Sequence, residues 1–157
     1  VPFMNSDPPK SLAVLALSGF AALMGLSFAV IFAVYTAMSI FNAFMGAAVL
    51  FGTMSFYGYF TKQSLDSLGK WLFVGLIAIV IASIINIFIG STIAQMVISA
   101  LAIIIFLGLT AYDTQQIREM VSTDSTPAVE VMGALQLYLD FINIFLSLLQ
   151  LFGDKKE

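Results

Sequence analysis

The sequence predicts an all-α fold, a polytopic membrane helix bundle, and three observations carry that prediction. Of its 157 residues 61% are hydrophobic and only 15 are charged, and the mean hydropathy is +1.04. A soluble domain is roughly half apolar and a quarter charged. Second, no Asp, Glu, Lys or Arg occurs in the 51 residues between Lys10 and Lys62, or in the 42 between Lys70 and Asp113. Each stretch is long enough for two crossings of about 20 apolar residues. Third, the four prolines, Pro2, Pro8, Pro9 and Pro127, avoid these stretches, as helix interiors that satisfy their own backbone in lipid require.

The elements follow in order as a single transmembrane domain over 1–157. A five-helix bundle fills 11–153, with helices over 11–34, 38–60, 69–90, 92–113 and 130–152, and a solvated tail at 154–157. The turns at Tyr35-Thr36 and Gly90-Ser91-Thr92 must be tight. On the first helix Ala21, Gly25 and Ala29 recur every four residues, and on the third Gly75, Ile79 and Ser83 do so beside Ala78 and Ala82. Small faces of this kind predict close helix contact. The 15 Phe and 8 Met residues supply lipid-facing and packing surface. Five spans put Lys10, Lys62, Lys70 and Arg118 on one side and Lys155 and Lys156 on the other. The positive-inside rule makes the first side cytoplasmic and the C-terminus extracytoplasmic. No cleavable basic signal sequence is visible, and Val1-Pro2-Phe3-Met4-Asn5 reads as the end of an apolar segment.

Composition excludes much chemistry. With no Cys and no His, disulfides, thiol nucleophiles, Ser-His-Asp triads and the usual zinc ligand sets are unavailable, and no cofactor is expected. Six basic residues spread over the whole chain form no stripe for nucleic acid. Gly25-Leu26-Ser27-Phe28-Ala29 falls one residue short of a nucleophile elbow and has no His to act as base.

The informative residues in a membrane are the polar ones. On the last helix Gln136, Asp140, Asn143, Ser147 and Gln150 stand at successive offsets of 4, 3, 4 and 3, which makes one polar stripe. A charged Asp near the midplane costs about 2.5–3.5 kcal/mol on insertion scales, so the stripe must face the bundle interior or water. The preceding helix ends Thr110-Ala111-Tyr112-Asp113-Thr114, where Thr110, Asp113, Thr114 and Ile117 share a face. Asp113 can therefore point inward as well, with Arg118 about a turn away as a local counter-ion. The two helices are consecutive and antiparallel, so Asp113 and Asp140 can meet. Their depths match only if the last helix starts above the membrane surface or the preceding helix continues past Asp113. Two carboxyls a few ångströms apart cannot both ionise easily, so they would share one proton. Such a pair senses pH.

Ala111-Tyr112-Asp113-Thr114-Gln115-Gln116-Ile117 and Leu137-Tyr138-Leu139-Asp140-Phe141-Ile142-Asn143-Ile144-Phe145 closely resemble the two signature segments of the Bax inhibitor-1 (transmembrane BAX inhibitor motif) family. The resemblance continues through Ala22 to Ser27, Phe56 to Lys62, and Ile81 to Phe88, which includes Asn86. It covers most of the chain in order, and the short loops look bacterial. The resemblance implies a seven-helix fold with two N-terminal helices missing here, residues 1–10 being the remnant of the second and its loop. It further implies a pH-sensitive calcium leak channel of the cell membrane, gated by the aspartate pair at Asp113 and Asp140. On that reading these carboxylates also touch passing calcium, and Gln136, Asn143, Ser147, Thr110, Asn42, Asn86 and Arg118 line or support the pore. Calcium or protons are then the partners besides the lipid bilayer. Two departures stand out: the stretch Met4 to Lys10 has no Arg where family members often carry one, and Asn42 stands where some members have a carboxylate.

Two rival readings use the same residues. An intramembrane aspartyl protease also pairs a Tyr-Asp with a second Asp, but its Gly-x-Gly-Asp is Leu137-Tyr138-Leu139-Asp140 here, and Pro127-Ala128-Val129 precedes that aspartate instead of following it. A non-channel regulator would bind a membrane protease or a stress or cell-death factor through its helices. On that reading the stripe is interhelical hydrogen bonding, worth under about 2 kcal/mol per contact.

Overall fold

The computed structural model describes residues 10–123 and 127–155, so the expectations for residues 1–9, Lys156 and Glu157 lie outside the described residues. Within them are α1 (Lys10–Val34), α2 (Ala37–Phe60), α3 (Asp66–Ile89), α4 (Thr92–Thr123) and α5 (Pro127–Phe152). All five are long and apolar enough to cross a membrane. The expected all-α bundle is what the chain forms.

Three boundaries differ from the expected ones by three residues or more, and the first is the start of α3, at Asp66 and not at 69. Helix α4 runs ten residues past Asp113 to Thr123, because Gln115, Gln116, Arg118, Glu119 and Met120 are good helix formers. Charge marks the edge of the hydrocarbon, and a helix need not end there. Helix α5 begins at Pro127 and not at 130. A proline is welcome in the first turn, where its missing N–H has no intrahelical acceptor to lose. Pro127 therefore lies inside a helical span, in the one place such a residue costs nothing.

The turns are closed by side chains the sequence supplies. Thr36 caps α2, its hydroxyl accepting from the Ser39 amide at 3.2 Å. Gly90 ends α3 at φ 74°, its N–H donating to the Asn86 carbonyl at 2.7 Å. This left-handed conformation is open to glycine at little steric cost. The Asn86 side chain completes the turn: its Oδ1 accepts from the Ser91 amide at 3.2 Å and its Nδ2 donates to the Ser91 carbonyl at 3.1 Å.

Helix α4 is the hub, packing against α2, α3 and most extensively α5, which in turn packs on α2. Small residues set these approaches. A Cβ at Gly58 would meet the Ala111 backbone, and one at Gly69 would meet the Tyr112 ring. Helices α2 and α3 are thus drawn onto α4 immediately before Asp113. Gly75 also behaves as expected, its Cβ position lying 3.2 Å from Ile105.

The α1 expectation fails. Ala21, Gly25 and Ala29 are exposed, and a Cβ at Gly25 meets nothing within 4 Å. Helix α1 docks instead through bulky residues, with Ile31 buried and Phe20 and Phe28 reaching Tyr138 and Phe145. Ring contacts need no close backbone approach, so the small face is left outward.

The core sits toward the end of the bundle that carries the C-terminus, around Ile31, Ala47, Ile144, Phe145 and Leu149. There Phe141 meets Phe44 and Phe51 edge-on at 5.5 Å. Residues 154–155 are not a free tail: Thr36 N–H donates to the Asp154 carbonyl at 3.0 Å, Asp154 N–H donates to Ser39 Oγ at 2.7 Å, and Lys155 bridges Tyr35. Their backbone groups thereby gain partners beside the bundle that they would otherwise take from water.

Candidate functional site

The extension of α4 settles the depth of the two aspartates. Asp113 lies ten residues before the end of α4, and Asp140 lies thirteen after the start of α5. At a rise of 1.5 Å per residue these are about 15 and 20 Å from the same end of the bundle. Antiparallel packing of α4 on α5 therefore brings the carboxyls to one level.

Both line a cleft of about 820 Å³ between α3, α4 and α5, with Gln136, Lys70 and Asp66 toward its mouth. The carboxyls are close enough to interact directly. Asp140 is only 5% exposed, and its Oδ2 has no hydrogen-bond partner among the described residues. A carboxylate oxygen so placed is costly to leave unpaired. Protonating either group would supply the missing donor.

A second cleft, of about 420 Å³, continues along the same stripe and is lined by Ser147, Gln150, Ser99 and Gln95. Here the polar groups satisfy each other. Gln150 Oε1 accepts from Ser99 Oγ at 2.9 Å and from Gln95 Nε2 at 3.0 Å. Asn143 borders both clefts, so the stripe runs along them, with Asp140 and Ser147 buried, Asn143 half-buried, and Gln136 and Gln150 exposed.

The other expected lining residues are placed elsewhere. Thr110 is wholly buried and turns onto its own helix, donating to the Phe106 carbonyl at 2.7 Å. Asn42 lines a separate cleft beside Ser39 and Asp154, at the far end of the bundle. Asn86 is taken up by the α3–α4 turn and touches the second cleft only through a 3.4 Å contact to Gln95. Arg118 donates to the Tyr59 carbonyl and lies 6.0 Å from the centre of the Tyr59 ring. It is therefore committed to α2 and is no counter-ion to Asp113. The only basic side chain lining the aspartate cleft is Lys70, among the described residues.

Sequence reasoning passed over Gln115, which is 2% exposed. Its Oε1 accepts from the Leu65 amide and its Nε2 donates to the Gln63 carbonyl, both at 2.8 Å. One amide thus fastens the 61–65 loop to α4 beside the mouth of the cleft. Gln116 adds a bond from its Nε2 to Asp66 Oδ1 at 2.7 Å. The available signal was a polar pair directly after Asp113, at a depth where side chains still pack. Replacing Gln115 by Leu should strand two backbone groups at about 1–3 kcal/mol each where they stay buried. The expected result is a lower unfolding temperature in detergent with faster amide exchange confined to 61–65; unchanged exchange there would show that the clamp is dispensable.

Among the described residues no group of three or more Asp, Glu, His or Cys is placed to hold a metal ion. The arrangement is a pair of adjoining, mostly apolar clefts crossed by one polar stripe, with two carboxyls in the first of them.

Comparison with known proteins agrees with this architecture. The family model described as inhibitor of apoptosis-promoting Bax1 matches residues 2–157. The chain is 45% identical over 143 residues to the inner membrane protein YbhL of Escherichia coli K12, covering 87% of this chain and 61% of YbhL. An uncharacterized membrane protein of Streptococcus pyogenes serotype M3 is 40% identical over 152 residues, covering 95% of this chain and 66% of that protein. An uncharacterized protein of Rickettsia prowazekii is 38% identical over 142 residues, covering 88% and 60%. The chain thus spans roughly three-fifths of the length of the curated relatives it matches. Five apolar helices, two signature segments meeting at one cleft and a match along almost the whole sequence lead to one assignment: the chain is a multi-pass membrane protein and belongs to the Bax inhibitor-1 family.

Proposed function

We propose that this protein is a pH-sensitive calcium leak channel of the bacterial cell membrane, with Asp113 and Asp140 as its gate. The observation that supports this reading is the pair of adjoining clefts that follow the α5 stripe, with the two carboxyls in the first of them. Calcium is a hard cation that takes oxygen ligands, commonly six to eight of them. Two carboxylates with nearby amides would hold it only in passing, and a leak must bind an ion weakly enough to release it. The basic residues Lys62, Lys70 and Arg118 put the aspartate end in the cytoplasm. Similarity to an inner membrane protein agrees with the cell membrane as its place.

The alternative is a non-channel regulator that binds a membrane protease or a stress factor. The uncovered Ala21, Gly25 and Ala29 face of α1 favours it. Reconstitution separates the two. The full-length protein in liposomes loaded with a calcium-sensitive dye should admit calcium in proportion to the protein added. Tight liposomes at every protein ratio would overturn the channel reading in favour of the regulator, and cleavage of a model transmembrane substrate would overturn both.

A further inference from the structure

The two clefts adjoin. Three side chains border both: Leu76 from α3, Phe106 from α4 and Asn143 from α5. All three are half-buried. Each comes from a different helix, and together they border the place where the two clefts meet. Two are bulky and apolar. The third has its amide nitrogen engaged, Nδ2 donating to the Leu139 carbonyl at 2.8 Å on its own helix. That bond fixes the orientation of the amide, since the flipped form would set oxygen against oxygen. Asn143 Oδ1 then has no hydrogen-bond partner among the described residues.

We propose that Leu76, Phe106 and Asn143 form a neck between the two clefts, and that Asn143 Oδ1 is the specificity-determining group that lets a cation through it. The inference rests on the conduction reading above and names where that conduction is limited. An apolar constriction holds back ions by shedding their water. A single acceptor oxygen at such a place offsets part of that loss for a cation and none of it for an anion. The neck lies beyond the aspartates, so it sets how fast and which ion, while the carboxyl pair sets when. The titratable groups lining the first cleft are Asp66 and Lys70 from α3, Tyr112 and Asp113 from α4 and Asp140 from α5; none is a member of the neck.

Two independent measurements test this. In liposomes, Asn143→Leu should lower calcium flux about ten-fold or more, whereas Asn143→Gln, which keeps the amide, should retain most of it. Leu76→Ala should raise flux several-fold and leave its pH profile in place. The second measurement does not depend on ion flux, and the absence of native Cys makes it clean. A charged, impermeant thiol reagent added from the aspartate side should label Gln136→Cys about ten times faster than Ser147→Cys, and Leu76→Ala should remove most of that difference. Equal labelling of the two positions in the otherwise unchanged protein would overturn the neck, as would flux in Asn143→Leu close to that of the parent. A parent protein that conducts nothing would sink the conduction reading alone and leave the labelling ratio to decide the neck.

Discussion

Replacing either Asp113 or Asp140 by Asn is expected to flatten the pH dependence of calcium flux, and replacing both is expected to do little more than either single change. Two like charges about 4 Å apart interact by about 4 kcal/mol at an effective dielectric of 20. On the gating reading proposed above, a proton shared by the pair binds α4 to α5 and keeps the aspartate end shut. Raising the pH removes it, and two negative charges then face each other in a cleft whose only basic lining residue is Lys70, among the described residues. Repulsion spreads the helices, so flux in the parent should rise with pH, by about ten-fold or more if even a third of that energy reaches the gate. Asp66, Lys70 and Tyr112 border the same cleft, so a mild residual slope can survive in the variants. The non-additivity is the sharper criterion, because groups acting as one unit lose their function with the first member. Additive effects of the two substitutions, or a pH profile that neither one changes, would leave Asp113 and Asp140 as separate carboxylates without a gating role.

The parts of this molecule that were legible in the sequence are those governed by the bilayer. Charge-free runs set the spans, and a stripe at offsets of four and three set which face of α5 turns inward, because lipid penalises polar groups whatever their neighbours. Less legible were the places where a polar side chain answers to one particular partner. Asn86 is assigned to the pore by the family resemblance, but its partners are the backbone of Ser91 across a turn and the amide of Gln95. Gln115 stands among signature residues without a visible purpose until the folded loop puts Gln63 and Leu65 against it. Arg118, by sequence a neighbour of Asp113, spends its donors on Tyr59 of another helix. Periodicity says which way a residue points on its own helix. It is silent about what the next helix brings to meet it.

Gly58 has the least room for a Cβ of the described glycines, beside the aspartates, and Gly58→Ala should show it. A Cβ at Gly58 would collide with the carbonyl and Cα of Ala111, a backbone that cannot swing aside as a flexible side chain can. Nor can α4 retreat as a body. Its Tyr112 ring lies against Gly69 of α3 on one flank, and Ile117 lies against Gly133 of α5 on another, 3.0 Å from where a Cβ would be. Overpacking of this kind costs about 1–3 kcal/mol and sometimes more, which should lower the unfolding temperature in detergent markedly. Gly52 provides the control, being on the same helix with nothing within 4 Å of its Cβ position. There the change to Ala should be neutral or stabilising by up to about 1 kcal/mol, from helix propensity alone. The displacement forced by Gly58→Ala falls on Ala111, two residues before Asp113, so a surviving folded fraction should also respond to pH less steeply than the parent. Equal unfolding temperatures for the two variants would show that α2 and α4 are not held in the contact described, and that the level of Asp113 is set by α5 alone.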